Sequence, residues 1–180
     1  MSVHVVLLSA INTGRRKATS ADLKALCLDL GWKRAETLLA SGNIILDSGR
    51  EGAAKVSARL EAGIETAFGF KARAIVRRGD DLDDVIARLP YKTFKPNLML
   101  VNFLDATPTK AGIAALDAFN AGREDYVIDG REMFIRYDSG IADTKLTPAV
   151  ILRKLGVTGT ARNWNTVGKL RDRARAMEAS

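Results

Sequence analysis

The sequence predicts an α+β protein made of two ferredoxin-like (βαββαβ) halves in tandem, followed by a C-terminal helix. In residues 1–77, short apolar strands and amphipathic helices follow one another in the order β-α-β-β-α-β, which is the split βαβ arrangement. From residue 97 the same order begins again, and the passage from Pro90 to Pro96 is the linker-like stretch between the two series. We therefore expect a first half over residues 1–90 and a second half over residues 91–180.

The elements of the first half are predicted from apolar spacing and from helix caps. Val3–Leu8 is apolar on both alternating faces, as in a strand that is covered on both sides. Thr19 and Ser20 offer an N-cap for a helix that Gly31 ends. Two strands joined by a hairpin turn follow, at Ala35–Ala40 and Asn43–Asp47. The half ends with a helix at Glu51–Phe68 and a strand at Ala72–Arg77.

The second half is predicted from similar signals. Leu98–Leu104 reads as a strand, and Thr107-Pro108 as an N-cap with proline at the first helical position. Asp129-Gly130 is a hairpin turn signal. A further helix begins after Thr147-Pro148 and ends at Gly156, and Val157–Ala161 is a short strand. The last helix is predicted from apolar residues at helical spacing, which are Val167, Leu170, Ala174 and Met177.

Composition excludes several classes of protein. With 180 residues and 47% apolar content the chain can bury a core. It contains no run of about 18 apolar residues, so the sequence predicts no membrane span. The first residues lack the basic start of a signal peptide. Cys27, on an apolar helix stripe, and His4 are the only cysteine and histidine, so one chain cannot assemble a Cys/His zinc site. We expect a cytoplasmic protein without cofactor or metal, and interpret the four carboxylates of Asp80–Asp84 as a helix start.

The formal charge of +7 is concentrated at the two ends of the chain. Residues 1–50 carry seven basic and four acidic side chains, and the last 36 residues carry eight basic and two acidic ones. This asymmetry indicates an anionic partner, either nucleic acid or a phosphorylated small molecule. The solvated face of a terminal helix would produce the same pattern.

Polar side chains are densest just before the last helix, over Arg162–Thr166. A helix N-terminus offers unpaired N–H groups, so this stretch is an anion-binding arrangement in principle. The alternative is structural: Trp164 is buried and docks the helix, while Asn163 or Asn165 caps it. Together with the two loops of the first half, the candidate ligand-binding residues are Asn12, Arg15, Arg16, Lys17, Ser41, Asn43, Lys145, Arg162, Asn163, Asn165, Thr166 and Lys169.

Two strings of residues carry a family resemblance that spans nearly the whole chain. They are Leu7-Leu8 with Ile11-Asn12, Gly14 and Ser41-Gly42-Asn43, and the closing Thr160-Ala161-Arg162-Asn163-Trp164-Asn165-Thr166-Val167. In these the chain resembles the family catalogued as domain of unknown function 1697. Members usually have Arg-Gly in place of Ser9-Ala10 and Gln in place of Ala40. The resemblance implies no activity, since the family name records none; if the usual Arg contacts a ligand, Arg15, Arg16 or Lys17 would have to supply its charge.

Three functional hypotheses follow from the sequence. The first is a module that binds an anionic ligand through the basic ends of the chain. The second is a structural or oligomeric protein whose polar motifs are caps and turns. The third is an enzyme that acts on a small anionic substrate without metal or histidine chemistry. We expect the residues near 12, 41–43 and 162–165 to lie close together, as a site or as a seam.

Overall fold

The computed structural model describes residues 2–40, 42–120, 124–138, 140 and 144–180. The chain forms two compact units, residues 1–86 with 168–180 and residues 87–167. The elements that begin in the first series are β1 (Val3–Ser9), α1 (Ser20–Asp29), β2 (Arg34–Leu38), β3 (Asn43–Asp47), α2 (Ala53–Phe68), β4 (Arg73–Arg78) and α3 (Gly79–Ala87). Those of the second series are β5 (Met99–Leu104), α4 (Lys110–Asn120), β6 (Asp125–Asp129), β7 (Glu132–Arg136), α5 (Pro148–Leu155), β8 (Gly159–Asn163) and α6 (Trp164–Glu178).

Each unit contains one four-stranded antiparallel sheet, and the two sheets share a topology. The strand order is β2-β3-β1-β4 in the first and β6-β7-β5-β8 in the second. The predicted α+β fold with two ferredoxin-like halves is therefore confirmed. A helix follows directly on the last strand of each series, α3 after β4 and α6 after β8. The repeated pattern is thus βαββαβα, while the domain limits 1–90 and 91–180 stay a prediction.

Both faces of the central strand β1 are buried, as the apolar sequence of that strand predicts. Val6 and Leu8 belong to the core beneath α1 and α2, and Val5 and Leu7 on the opposite face are also fully buried. A strand with two covered faces needs apolar side chains at successive positions, which is why alternation is absent here. The same holds for β5, where Val101 is fully buried on the face away from α4 and α5.

Most predicted helix ends are confirmed by cap geometry. Thr19 and Asp22 form a capping box at α1, and Thr147 caps α5, which ends at Gly156 in the left-handed conformation. The predicted start of α4 at Thr107-Pro108 is wrong. Thr109 takes the role of N-cap instead, because its hydroxyl accepts the Gly112 N–H at 3.1 Å and a hydroxyl two residues later offers the same acceptor.

A cluster around Trp32 ties α1 to α2 within the first unit. The Trp32 indole N–H donates to the Glu51 carboxylate at 3.1 Å, and the Arg59 guanidinium lies 4.9 Å from the ring centroid. Arg59 also donates to Glu51 at 2.6 Å and to the Leu30 carbonyl. The hydrogen bond from Arg59 is the main reason that the pKa of Glu51 falls to about 2.

Replacing Glu51 with glutamine is expected to lower the free energy of unfolding by about 1 kcal/mol at pH 7. The folded-state pKa of Glu51 is depressed, so its contribution is present above pH 4.5 and is lost as the pH falls towards 2. Urea unfolding of the wild type and the variant at pH 7 and at pH 3 would measure this. A difference that does not shrink at the lower pH would contradict the ion pair as its source.

Candidate anion-binding site

The loop between β1 and α1, residues 10–18 and here called the basic loop, has an unusual backbone. Ala10, Asn12 and Gly14 have φ angles of 56°, 55° and 56°. The left-handed region is unfavourable for alanine and tolerable for asparagine and glycine. A turn that Arg16 closes with its N–H on the Thr13 carbonyl at 3.1 Å fixes the tip. Strained backbone of this kind persists only where neighbouring structure holds it in place.

The side chain of Asn12 supplies part of that hold. Its Nδ2 donates to the Ala40 carbonyl at 2.7 Å, and its Oδ1 accepts the Ala18 N–H at 3.1 Å. One short amide thus connects both ends of the basic loop to the hairpin between β2 and β3. Because a side-chain amide offers a donor and an acceptor together, asparagine suits this position.

Gly42 provides the second attachment between the hairpin and the basic loop. A Cβ at this position would lie 2.5 Å from Cγ2 of Ile11 and 3.0 Å from Cβ of Leu8, and the φ of Gly42 is 72°. Its carbonyl accepts the Leu8 N–H at 2.8 Å. Leu39, in the same hairpin, also has a positive φ of 60°. Ile11 is therefore clamped beneath the hairpin, and only glycine fits above it.

Three basic side chains project from the tip of the basic loop. Arg15, Arg16 and Lys17 are all exposed. In the part of the chain that the structure describes, no carboxylate forms an ion pair with any of them. The nearest acidic residue in sequence, Asp22, is engaged by Thr19, whose hydroxyl hydrogen bond holds the pKa of Asp22 below its usual value. The loop therefore presents unneutralised positive charge.

Much of the positive charge in the C-terminal helix is neutralised. Arg171 and Arg175 form ion pairs with Asp83 of α3, at 3.6 Å and 2.7 Å. Arg173 reaches Glu36 at 3.8 Å. Lys169 is exposed, without an ion pair to any described residue. The basic end of the sequence is thus a weaker anion-binding surface than its composition suggests.

Asn43 is fully buried, and its side chain stabilises the hairpin between β2 and β3. It pairs with Leu7 of β1 and donates from Nδ2 to the Leu38 carbonyl at 2.8 Å. Asn12 and Asn43 thus both donate to carbonyls of the hairpin between β2 and β3, Asn12 to Ala40 and Asn43 to Leu38. Ser41 lies outside the described residues.

Arg162 lies on β8 in the second unit, where β8 begins two residues later than predicted. It pairs with Val101 of β5 and is only 7% exposed. Its Nη1 donates to the Thr160 hydroxyl at 2.7 Å and to the Ala161 carbonyl at 2.8 Å. Burial lowers its pKa to about 10. These contacts indicate that Arg162 stabilises the fold.

The rest of the C-terminal motif divides into a cap and an exposed part. Asn163 is the N-cap of α6, because its Oδ1 accepts the Thr166 N–H at 2.9 Å and the Thr166 hydroxyl at 3.0 Å. Thr166 is buried, whereas Asn165 and Lys145 are exposed. Trp164, which the structural interpretation expects to be buried, has intermediate burial, and its ring packs against Phe94. Since the two groups of candidate residues belong to different units, their proximity stays a prediction.

The first unit contains an arginine in the same place as Arg162. Arg77 lies on β4 two residues before α3 begins, pairs with Val5 of β1 and is 2% exposed. Sequence reasoning missed this correspondence, although an arginine two residues before the closing helix occurs in both halves. A buried arginine at one position of both repeats indicates a structural role for each.

Other reactive groups are built into the core. His4 bonds through Nδ1 to the Ser48 hydroxyl at 2.9 Å, and burial lowers its pKa. Burial also raises the pKa of the Cys27 thiol to about 12, which suits a packing residue and not a nucleophile. Among the described residues, no group of three His, Cys, Asp or Glu side chains is placed to hold a metal ion. No helix in the same part of the chain is both long and apolar enough to cross a membrane.

Known proteins place the chain in a family without assigning it an activity. No curated protein matches it. The structure of the conserved bacterial protein SP0830 from Streptococcus pneumoniae is similar over 96% of this chain and 98% of that chain, with a TM-score of 0.69 and 19% identity. At that identity the likeness shows the fold alone. A family model described as "Protein of unknown function (DUF1697)" matches residues 1–134, which include the basic loop and its hairpin. The match covers most of the chain, and the protein therefore belongs to this family.

Proposed function

We propose that the protein is a binding module for an anionic ligand, a nucleic acid strand or a phosphorylated metabolite, and that the basic loop is its binding site. The observation that supports this most strongly is the presentation of Arg15, Arg16 and Lys17 on a loop with a fixed, strained backbone. The chemistry common to both ligands is the phosphate group. Guanidinium groups bind phosphate through paired N–H donors, and lysine adds a point charge.

The fixed conformation of the loop favours binding. A flexible basic segment loses conformational entropy when it closes on a ligand, and a segment that is already ordered loses less. The hydrogen bonds of Asn12 and the clamp of Gly42 on Ile11 order the loop before any ligand arrives. A role in binding would therefore explain why the loop keeps a backbone conformation that lowers the stability of the fold.

A structural or oligomeric protein is the second candidate. It is supported by the burial of Asn43 and Arg162 and by the capping role of Asn163. These observations assign Asn43, Arg162 and Asn163 to packing and capping, and they leave the basic loop unexplained. The two candidates therefore differ in what the loop is expected to do in solution.

Replacing Arg15, Arg16 and Lys17 together with glutamine is expected to weaken binding of a mixed-sequence single-stranded 12-mer by about 10- to 100-fold. The matched control replaces Arg50, Lys110 and Arg153 with glutamine, since these residues are exposed, have no ion pair among the described residues and carry the same total charge. Fluorescence anisotropy with a labelled 12-mer would measure both variants, and thermal melting would confirm that both fold.

Inorganic phosphate and AMP, measured by calorimetry, separate the two ligand sources. Saturable binding of the 12-mer without binding of the small phosphates supports nucleic acid, and the reverse supports a metabolite. If the loop variant binds the 12-mer and the small phosphates as tightly as the control variant does, the basic loop is not the binding site. That result would support the structural or oligomeric candidate.

A further inference from the structure

A separate pocket lies in the second unit, where the chain approaches β5. The segment Tyr91–Pro96 has no regular secondary structure, and the end of β7 lies against it. The pocket has a volume of about 350 Å³. Its lining residues are Thr93, Phe94, Lys95, Arg136, Tyr137 and Asp138.

The Phe94 ring gives this pocket an apolar wall that is partly open to solvent, and Trp164 packs against that ring from outside the lining. Phe94 lies edge to face with Trp164, with ring centroids 5.8 Å apart and an angle of 79° between the planes. Both side chains are only partly buried. The Phe94 ring lines the pocket and keeps part of its surface in water, so a flat ligand can stack on it, since every base offers a face for stacking.

The charges around the pocket favour an anionic ligand. Lys92 and Lys95 are exposed and have no ion pair with any described residue. Arg136 is held in place, because its Nη2 lies 2.9 Å from Asp125 and its guanidinium carbon lies 5.1 Å from the Tyr91 ring centroid. Asp125 is not a lining residue; the carboxylate in the lining is that of Asp138, which is largely exposed and lies 3.7 Å from Nε of Arg136. Asp125 and Asp138 thus lie near Arg136, and the charges of Lys92 and Lys95 are not neutralised by an ion pair with a described residue.

We propose that this pocket binds the base of a nucleotide, either free or within a single strand. The base stacks on Phe94 beside Trp164, and the phosphate lies against Lys95 and Lys92. The volume of about 350 Å³ is at the small end of the range for ligand pockets. Alternating basic and aromatic residues are what single-strand binding requires, because the rings take the bases and the cations follow the backbone. This inference goes beyond the basic loop, as every residue in it belongs to the other unit.

The indole signal of Trp164 in a ¹⁵N–¹H NMR spectrum reports on this pocket through the contact of its ring with Phe94. The protein has two tryptophans, and Trp32 is 4% exposed in the first unit, bonded to Glu51. Titration of the wild type with AMP is expected to shift the Trp164 signal and leave the Trp32 signal in place. Replacement of Trp164 with phenylalanine assigns the two signals. Ribose 5-phosphate, which has no base, and a short oligonucleotide are titrated beside AMP to separate the phosphate contribution and the two nucleotide sources.

Phe94→Leu is expected to weaken binding of AMP or of the oligonucleotide by roughly 5- to 150-fold, the usual effect of losing one stacking partner. Lys95→Gln keeps the aromatic surface and is expected to weaken binding with a reduced salt dependence. Because Lys95 is exposed, this variant folds even if Phe94→Leu does not. A Trp164 signal that stays in place at millimolar AMP, or that shifts equally with ribose 5-phosphate, overturns the proposal. AMP binding that persists in the basic-loop variant supports the pocket, whereas AMP binding that is lost in that variant and kept in both pocket variants also overturns the proposal.

Discussion

Replacing Gly42 with alanine is expected to destabilise the protein by about 2–4 kcal/mol. A Cβ at this position would overlap Cγ2 of Ile11 at 2.5 Å and meet Cβ of Leu8 at 3.0 Å, and both atoms belong to buried side chains. Overpacking of this kind costs about 1–3 kcal/mol. The φ of 72° adds about 1 kcal/mol, because an L-residue with a Cβ disfavours the left-handed region.

Gly49 offers a matched control for this experiment. It belongs to the same unit and has a φ of 65°, but no atom lies within 4 Å of the position that its Cβ would take. Gly49→Ala should therefore cost only the conformational part, about 1 kcal/mol. Urea unfolding of both variants measures the difference. Equal destabilisation would mean that the hairpin does not press on Ile11, and the hold on the basic loop would then lack one of its two attachments.

Replacing Arg162 with alanine is expected to lower the free energy of unfolding by about 2–4 kcal/mol. The change leaves the space of a buried side chain empty and removes a donor from the Thr160 hydroxyl and the Ala161 carbonyl. We expect ligand binding by the folded variant to be unchanged, since the basic loop keeps its three cations.

Arg153→Ala is the control for the loss of an arginine, because Arg153 is exposed on α5. It should change stability by no more than about 0.5 kcal/mol. Chemical unfolding followed by circular dichroism, together with a binding assay on each folded variant, completes the comparison. An Arg162→Ala protein with unchanged stability and abolished binding would instead make Arg162 a ligand contact, as the sequence motif first suggests.

The order of the elements was predictable from the sequence because it depends on local signals. Apolar spacing marks the strands, and Thr19, Thr147 and Gly156 mark helix ends through hydrogen bonds to residues three or four positions away. Where two acceptors compete, local signals fail. Thr107 and Thr109 offer the same hydroxyl, and the structure uses the second.

The basic loop was predictable in composition and not in conformation. Three consecutive cations are visible in the sequence, whereas the hold of Asn12 depends on Ala40 and is set by the packing of a hairpin 28 residues away. Ala10 illustrates the same limit. Its φ of 56° lies in a region that glycine adopts without strain and alanine does not, and an alanine in the sequence gives no sign of it.

The polar motif before α6 shows why residue type alone does not identify a site. Arg162 and Asn163 have the chemistry of an anion site, but their burial and bonds depend on which strand lies beside β8. The pocket at Phe94 was missed for the opposite reason. Its segment reads as a linker, and its aromatic partner Trp164 is 70 residues further along the chain.

The salt dependence of oligonucleotide binding tests the proposed role of the basic loop most directly. Each phosphate contact with a single strand contributes about 0.7 to the slope of log K against log salt concentration. If Arg15, Arg16 and Lys17 contact phosphates, the variant that lacks all three should have a slope shallower than that of the wild type by about 2. The variant of Arg50, Lys110 and Arg153 should keep the wild-type slope. Identical slopes for the wild type and both variants would contradict the assignment of the basic loop as the binding site.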